Sequence, residues 1–356
     1  MREARSFPES SADVRVDAMA LALAPRVGPR SYYERTKGFG SAAHAFAATI
    51  PAGSQARLRD EALRIIANGE QRGARLLLLG DPDYPASLLD LGDPPPYLFA
   101  LGDLSRLTQP AVAIVGTRRA TAYGERVTTA LASALAAGGA TVVSGMARGI
   151  DAAAHRAALA SSGITVAVLG TGVDVAYPVA HRSLHRAIEQ RGVVISEFPC
   201  GSHAQPASFP RRNRIIAALA RLTLVIEAGD ASGALITADH ATDLGRDIGA
   251  VPGQVDSPQS IGSNRLIRDG AHAVLSASDV LSLVGLADPG TRRDIAPTLQ
   301  GDERAIWTAL ADGATPIDVL TERAELTPRR ALAAVTALEL RDLIETLPTG
   351  ELRRRR

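Results

Sequence analysis

Between residues 111 and 275 the chain alternates short apolar runs with stretches of helical periodicity. The runs fall at 111–115, 141–144, 165–169, 193–196, 222–226, 248–251 and 272–275. Helical patterns lie between them at 123–137, 151–161, 180–191, 212–220, 233–244 and 263–269. A run such as Leu222-Thr223-Leu224-Val225-Ile226 is short and β-branched and does not alternate with polar residues. That is the pattern of a strand covered on both faces. Six βα units in succession predict an α/β fold: a doubly wound, mostly parallel sheet with right-handed crossovers. In such a sheet the strand-to-helix loops open on one rim, and ligands bind there.

Those loops share a chemistry. The first strand candidate, Ala111 to Val115, ends in Gly116-Thr117-Arg118-Arg119. Glycine permits close backbone approach, a helix N-terminus offers free N–H groups, and arginine grips phosphate with two parallel hydrogen bonds. The other loops repeat the theme: SGMARGID (144–151), GTGVDVAYP (170–178), SEFPCGSHAQPASFPRRNR (196–214), GDASGALIT (229–237) and PGQVDSPQSIGSN (252–264). Several glycine- and arginine-bearing loops on one rim read as a row of anion pockets. The densest basic segment is Phe209-Pro210-Arg211-Arg212-Asn213-Arg214. Its proline is expected to start a helix, with the arginines in the first turn. Cations are disfavoured there, so a bound phosphate would relieve the conflict. Aromatics are scarce; Tyr177 and Phe209 are the candidates for stacking on a base.

Three other chemistries fit the sequence less well. The dinucleotide fingerprint G-x-G-x-x-G is absent after the first strand, and so is the P-loop lysine motif. Hydrolysis of a nucleoside monophosphate would draw on Asp151, Glu197 and Glu227 near strand ends. Asp151 also suits helix capping, and Glu227 suits orienting backbone. No His, Cys, Asp or Glu group has metal-ligand spacing, and no cofactor is expected. The net charge of +1 announces no nucleic-acid partner, so any basic footprint is local. Lys37 is the sole lysine. Cys200 is the sole cysteine, which excludes an intrachain disulfide. No apolar stretch reaches membrane-spanning length and no signal-peptide pattern is visible, so a cytoplasmic protein is expected.

The flanks organise as follows. Residues 1–13 read as a disordered tail and 14–75 as a small helical domain. Within it, Ala24 to Arg30 reads either as a helix-hairpin-helix turn able to aim N–H groups at phosphate or as an ordinary helix corner. Residues 76–286 form the core with its N-terminal extension, and 287–299 a linker. Residues 300–356 hold helix candidates at 302–311, 316–323 and 328–341, then a hairpin. That is the order of a winged helix. Arg329 and Arg330, at the start of its third helix, either read duplex DNA or leave the unit a protein-docking role.

At these residues the chain resembles the DNA-processing protein A (DprA/Smf) family. The resemblance runs through Asp81-Pro82-Asp83-Tyr84-Pro85, Ala113-Ile114-Val115-Gly116-Thr117-Arg118, Ser144 to Asp151, Phe209 to Ile216, Ser232 to Ala238 and Gly262 to Ile267. It implies a Rossmann-like core, an N-terminal helical domain of helix-hairpin-helix or SAM-like type, and a C-terminal winged helix. It further implies a non-enzymatic recombination mediator that binds and protects single-stranded DNA and loads the recombinase RecA during natural transformation. Homodimerisation would use about residues 262–285. The expected DNA contacts are Gly116, Thr117, Arg118, Ser144, Gly145, Gly170, Gly172, Phe209, Arg211, Arg212, Asn213, Arg214, Ser232, Gly233, Thr237 and Asn264. Two departures stand out: the core has no lysine for a DNA groove, and the Cys200 to Ala207 loop, with His203, lacks the expected proline-rich character.

Overall fold

The structure is a computed structural model and describes residues 12–108, 110–286, 299–310, 313–341, 343–347 and 349–354. Most of the expected disordered tail (1–11) and of the expected linker (287–298) lies outside the described residues. Residues 12 and 13 of the expected tail instead open the first helix. The chain divides into two compact units, Met1–Asp288 and Pro289–Arg356.

The first unit begins with four helices: α1 (Ala12–Leu23), α2 (Pro29–Phe39), α3 (Ala42–Thr49) and α4 (Ala52–Gln71). The α1–α2 corner buries Ala24 and Val27, and Pro29 sits in the first turn of α2, where its missing N–H is harmless. Met19, Tyr32, Phe46 and Leu58 of these helices join one apolar cluster with Phe99, Leu101, Leu184 and Ile188. The helical region is therefore welded to the end of the sheet.

That sheet has nine strands. Two are in the N-terminal extension, β1 (Arg75–Leu78) and β2 (Tyr97–Gly102). Then come β3 (Ala111–Val115), α5 (Ala122–Ala137), β4 (Thr141–Ser144), α6 (Ile150–Ala160), β5 (Thr165–Val168), α7 (Arg182–Arg191) and β6 (Val193–Ser196). The second half is α8 (Ser208–Leu219), β7 (Leu222–Val225), α9 (Gly233–Asp243), β8 (Asp247–Ala250), α10 (Ile261–Arg268), β9 (His272–Ala273) and α11 (Ala277–Leu283).

The strand order is β1-β2-β6-β5-β4-β3-β7-β8-β9. From β6 to β9 all pairings are parallel; β2 joins β6, and β1 joins β2, antiparallel. The chain winds outward from β3 in both directions, so the topological switch point lies between β3 and β7. Alternate residues of β3 feed opposite faces: Val112 and Ile114 enter one apolar cluster, and Ala113 and Val115 the other. This two-sided burial is why the sequence shows a continuous apolar run.

The second unit holds α12 (Gly301–Ala309), β10 (Thr315–Pro316), α13 (Ile317–Arg323), α14 (Pro328–Leu340), β11 (Ile344–Thr346) and β12 (Glu351–Arg354). Its sheet order is β10-β12-β11, and its core is built on Ile306, Trp307, Leu320, Leu338 and Ile344. This is the expected winged helix. Thr327 stands at the N-cap of α14, yet its hydroxyl makes no capping bond.

Candidate nucleic-acid interface

The switch point opens into a cavity of ≈ 880 Å³. Its floor and walls include Gly116, Thr117, Arg118, Asp151, Phe209, Arg212, Ser232 and Gly233. The Gly116 loop is fixed at both ends by Glu227. Thr117 N donates to the Glu227 carbonyl at 2.7 Å. The Glu227 carboxylate accepts from Thr121 N at 2.9 Å and from the Thr121 hydroxyl at 2.5 Å. Thr121 in turn caps α5 through Gly124 N. A Cβ on Gly124 would lie 2.3 Å from Glu227 Oε2, so only glycine lets the acid in. Glu227 is 2% exposed and committed to this bracket, which leaves it no catalytic carboxylate to offer.

Held this way, the loop presents Arg118 to the cavity. Its guanidinium lies 5.3 Å from the centre of the Phe209 ring. Phe209 leans on Tyr177, ring centres 5.3 Å apart at 36°. A cation above one ring of an aromatic pair suits a phosphate beside a base or sugar.

The arginines of α8 part company. The helix begins at Ser208, so they sit beyond its first three residues rather than among the orphan N–H groups. Arg212 turns to the cavity and is 4% exposed. It donates to the Gly145 carbonyl at 2.7 Å, to the Val168 carbonyl and to Asn213 Oδ1. Among the described residues no carboxylate comes within 4 Å of it. Burial draws its pKa down to about 10; Asp151 opposes the shift and Arg118 adds to it. Asp151 is itself buried, with its carboxyl pushed up by desolvation against the pull of Arg212, and accepts from Ala147 N.

Arg211 and Arg214 turn the other way. Arg214 Nη2 meets Glu197 Oε2 at 2.6 Å and its Nη1 donates to the Asp93 carbonyl at 2.9 Å. Arg211 reaches the same Glu197 oxygen at 3.0 Å and lies over Phe198. Of the three arginines expected in this segment, Arg212 is the one that borders the cavity with Arg118. Arg214 is an internal ion pair, and Arg211 is a half-exposed partner of a buried acid. Glu197, a candidate catalytic acid in the sequence, is consumed by that pair.

Several other residues expected to touch DNA also hold the surrounding backbone. The Ser144 hydroxyl is buried and donates to the Ile114 carbonyl at 2.6 Å. Gly170 packs against Phe209, and Gly172 against the Pro199 carbonyl. Asn264 clamps the backbone of Gly253 on both sides, at 3.0 and 3.1 Å. Asn213 ties α8 to the Gly233 carbonyl at 3.2 Å. Asn213, Thr237, Ser232 and Gly233 do border the cavity, and the Ser232 hydroxyl caps α9. Gly145 borders a second cavity of ≈ 360 Å³, together with Arg119 and Arg148. Those two arginines are not among the contacts expected from the sequence, although each stands within three residues of a rim glycine. Among the described residues no group of His, Cys, Asp and Glu is placed to hold a metal ion, and no helix is long and apolar enough to cross a membrane.

Fold and site together define a Rossmann-type protein with an arginine-floored, aromatic-walled rim cavity and a winged helix beside it in the chain. The chain belongs to the DNA recombination-mediator protein A family, whose model matches residues 75–285; the DprA winged helix domain model matches 291–350. It is 40% identical over 303 residues to Protein Smf of Synechocystis, covering 80% of this chain and 75% of that protein. It is 42% identical over 297 residues to the putative DNA processing protein DprA of Mycobacterium tuberculosis, covering 77% and 76%. The solved DprA of Streptococcus pneumoniae superposes with a TM-score of 0.68 at 30% identity, over 77% of this chain and 98% of that one. The DprA of Helicobacter pylori, solved to explain its single-stranded DNA binding mode, gives 0.54 at 30%, over 59% and 94%. Membership in a family of recombination mediators sets the nucleotide-hydrolase alternative aside.

Proposed function

We propose that this recombination mediator grips single-stranded DNA along the switch-point rim, by phosphate contacts that tolerate any sequence. The observation that carries the reading is Arg212: a buried cation with no carboxylate within 4 Å among the described residues, beside a second cation, Arg118, on the floor of an open cavity. Neutral acceptors do not cancel a buried charge, and a phosphate would supply an anion at bonding distance. The aromatic pair above it accepts any base, since every base has a π-face.

Titration of homopolymer single strands and duplex DNA at two salt concentrations tests this. With about 4 phosphates neutralised per protomer, log K falls against log salt with a slope of roughly −3 for single strands. Salt-independent binding, or a preference for duplex, overturns it.

RecA loading, protection of incoming strands in transformation, and a homodimer through about residues 262–285 belong to the same reading. The dimer is supported by apolar side chains exposed around that segment: Val255 (92%), Leu275 (81%) and Ile261 (44%). Sedimentation of the Leu275→Asp variant as a monomer, with loss of avidity on long strands, is the expected outcome. For the winged helix, docking or an auxiliary role is favoured over duplex reading. Arg330 is held by Asp302 through two bonds and Arg341 by Glu303, while Leu332 and Leu340 stand exposed on α14. The isolated 300–356 fragment is expected to leave duplex DNA unshifted.

A further inference from the structure

The ≈ 880 Å³ and ≈ 360 Å³ cavities share a wall. Arg118, Tyr177, Phe209 and Arg212 border both. Each cavity has its own source of positive potential. The larger takes in the N-terminus of α9 at Ser232 and Gly233. The smaller takes in Arg119 and Arg148, both exposed, with no carboxylate within 4 Å among the described residues. Between the two stand the paired rings of Tyr177 and Phe209. Beneath both lies Arg212, whose Nη2 has no hydrogen-bond partner among the described residues. Two anion positions flanking one aromatic wall match a nucleoside with a phosphate on each side. A strand presents that unit at every step, and so does a free nucleoside 3′,5′-bisphosphate. A nucleoside 5′-diphosphate does not, because both its phosphates lie on one side.

We propose that the paired cavities form a subsite for one nucleoside and two phosphates, so that the protein binds free nucleoside 3′,5′-bisphosphates and these compete with the DNA strand. The proposal rests on the reading of the rim as a strand track and adds a small-molecule ligand class to it. Occupancy of the rim by DNA would then fall as the concentration of such a nucleotide rises.

The test uses the full chain at fixed ionic strength. Thymidine 3′,5′-bisphosphate, 5′-diphosphate and 5′-monophosphate compete against a fluorescent oligothymidylate. Calorimetry without DNA measures the same three ligands directly. The bisphosphate is expected to act at about tenfold lower concentration than the diphosphate in both measurements, a difference worth about 1.4 kcal/mol. In the Arg119→Ala/Arg148→Ala double variant that advantage is expected to shrink toward parity. Equal action of bisphosphate and diphosphate overturns the proposal, as does an advantage that survives in the double variant. Failure of the oligonucleotide itself to bind overturns the strand reading instead, and calorimetry of the bisphosphate then still decides the subsite.

Discussion

Arg214 Nη2 lies 2.6 Å from Glu197 Oε2, and the two side chains are 6% and 1% exposed. The pair sits at the joint between α8 and the end of β6, within reach of the N-terminal extension at Asp93. Removing Arg214 leaves the buried Glu197 with only the half-exposed Arg211, which destabilises by about 3 kcal/mol, the low end of the range for a broken buried pair. Arg214→Ala is expected to lower the unfolding free energy from urea titration by that amount, and the Arg214→Met/Glu197→Leu double variant to regain most of it. Below its unfolding transition, Arg214→Ala is expected to hold single-stranded DNA within about twofold of wild type, because Arg214 does not border the cavity. A wild-type midpoint for Arg214→Ala would show that the pair contributes nothing.

Arg118 is exposed, with its guanidinium over Phe209 and free to meet phosphate. Arg118→Ala is expected to weaken single-stranded DNA binding by about 1–3 kcal/mol, the loss of one charge-assisted contact. The salt slope should become shallower by about 0.7, since one fewer phosphate is neutralised. Mobility-shift titrations at two salt concentrations read both numbers, and an unchanged slope removes Arg118 from the phosphate track.

Phe209 offers a ring face in place of charge. Phe209→Ala is expected to weaken binding by about 1–3 kcal/mol through lost stacking. Its salt slope should match that of the wild type, in contrast to Arg118→Ala. Gly170 packs on the same ring, so circular dichroism of the variant should accompany the titration. A shallower slope would mean that Phe209 acts only by placing Arg118.

His155, on α6 behind the rim, is fully buried, and its Nδ1–H donates to Thr165 Oγ1 at 2.6 Å, whose own proton goes to the Val142 carbonyl. Burial, with Arg212, His181 and Arg156 adding positive charge, draws its pKa down to about 3. The folded state therefore keeps His155 neutral while the unfolded chain takes up a proton near pH 6.5. Stability from this residue is complete above pH 6.5 and declines as pH falls from there toward 3. Between pH 7 and pH 5 the loss is about 2 kcal/mol. Urea unfolding at both values should show it in the wild type and not in His155→Gln; equal acid sensitivity in the two proteins would rule it out.

Much of the fold is legible locally. Strands 141–144 and 193–196 coincide with the observed β4 and β6, because burial on both faces requires an unbroken apolar run. The start of α8 was less legible. Pro210 was read as the first helical residue, but the helix begins at Ser208 and carries the proline within its first turn, where no backbone donor is needed. The Gly116 loop was placed correctly at a strand end on the rim, yet its bracket was not. Glu227 and Thr121 are 106 residues apart in sequence.

The sequence by itself determined the elements, their winding and the gathering of arginine-rich loops on one rim, because apolar periodicity is a property of neighbouring residues. It also held a clue to the arginines of α8 that spacing makes explicit. At about 100° per residue, Arg211 and Arg214 share one helix face while Arg212 points away from both. Which face would meet solvent and which a buried acid was decided only in three dimensions. Glu197 reaches the pair from the end of another strand, and a charge inside a protein is placed by the partner that folding brings to it. Among the described residues no carboxylate comes within 4 Å of Arg212, though Asp151 acts on it from farther away, and only the tertiary structure shows that this cation faces the cavity.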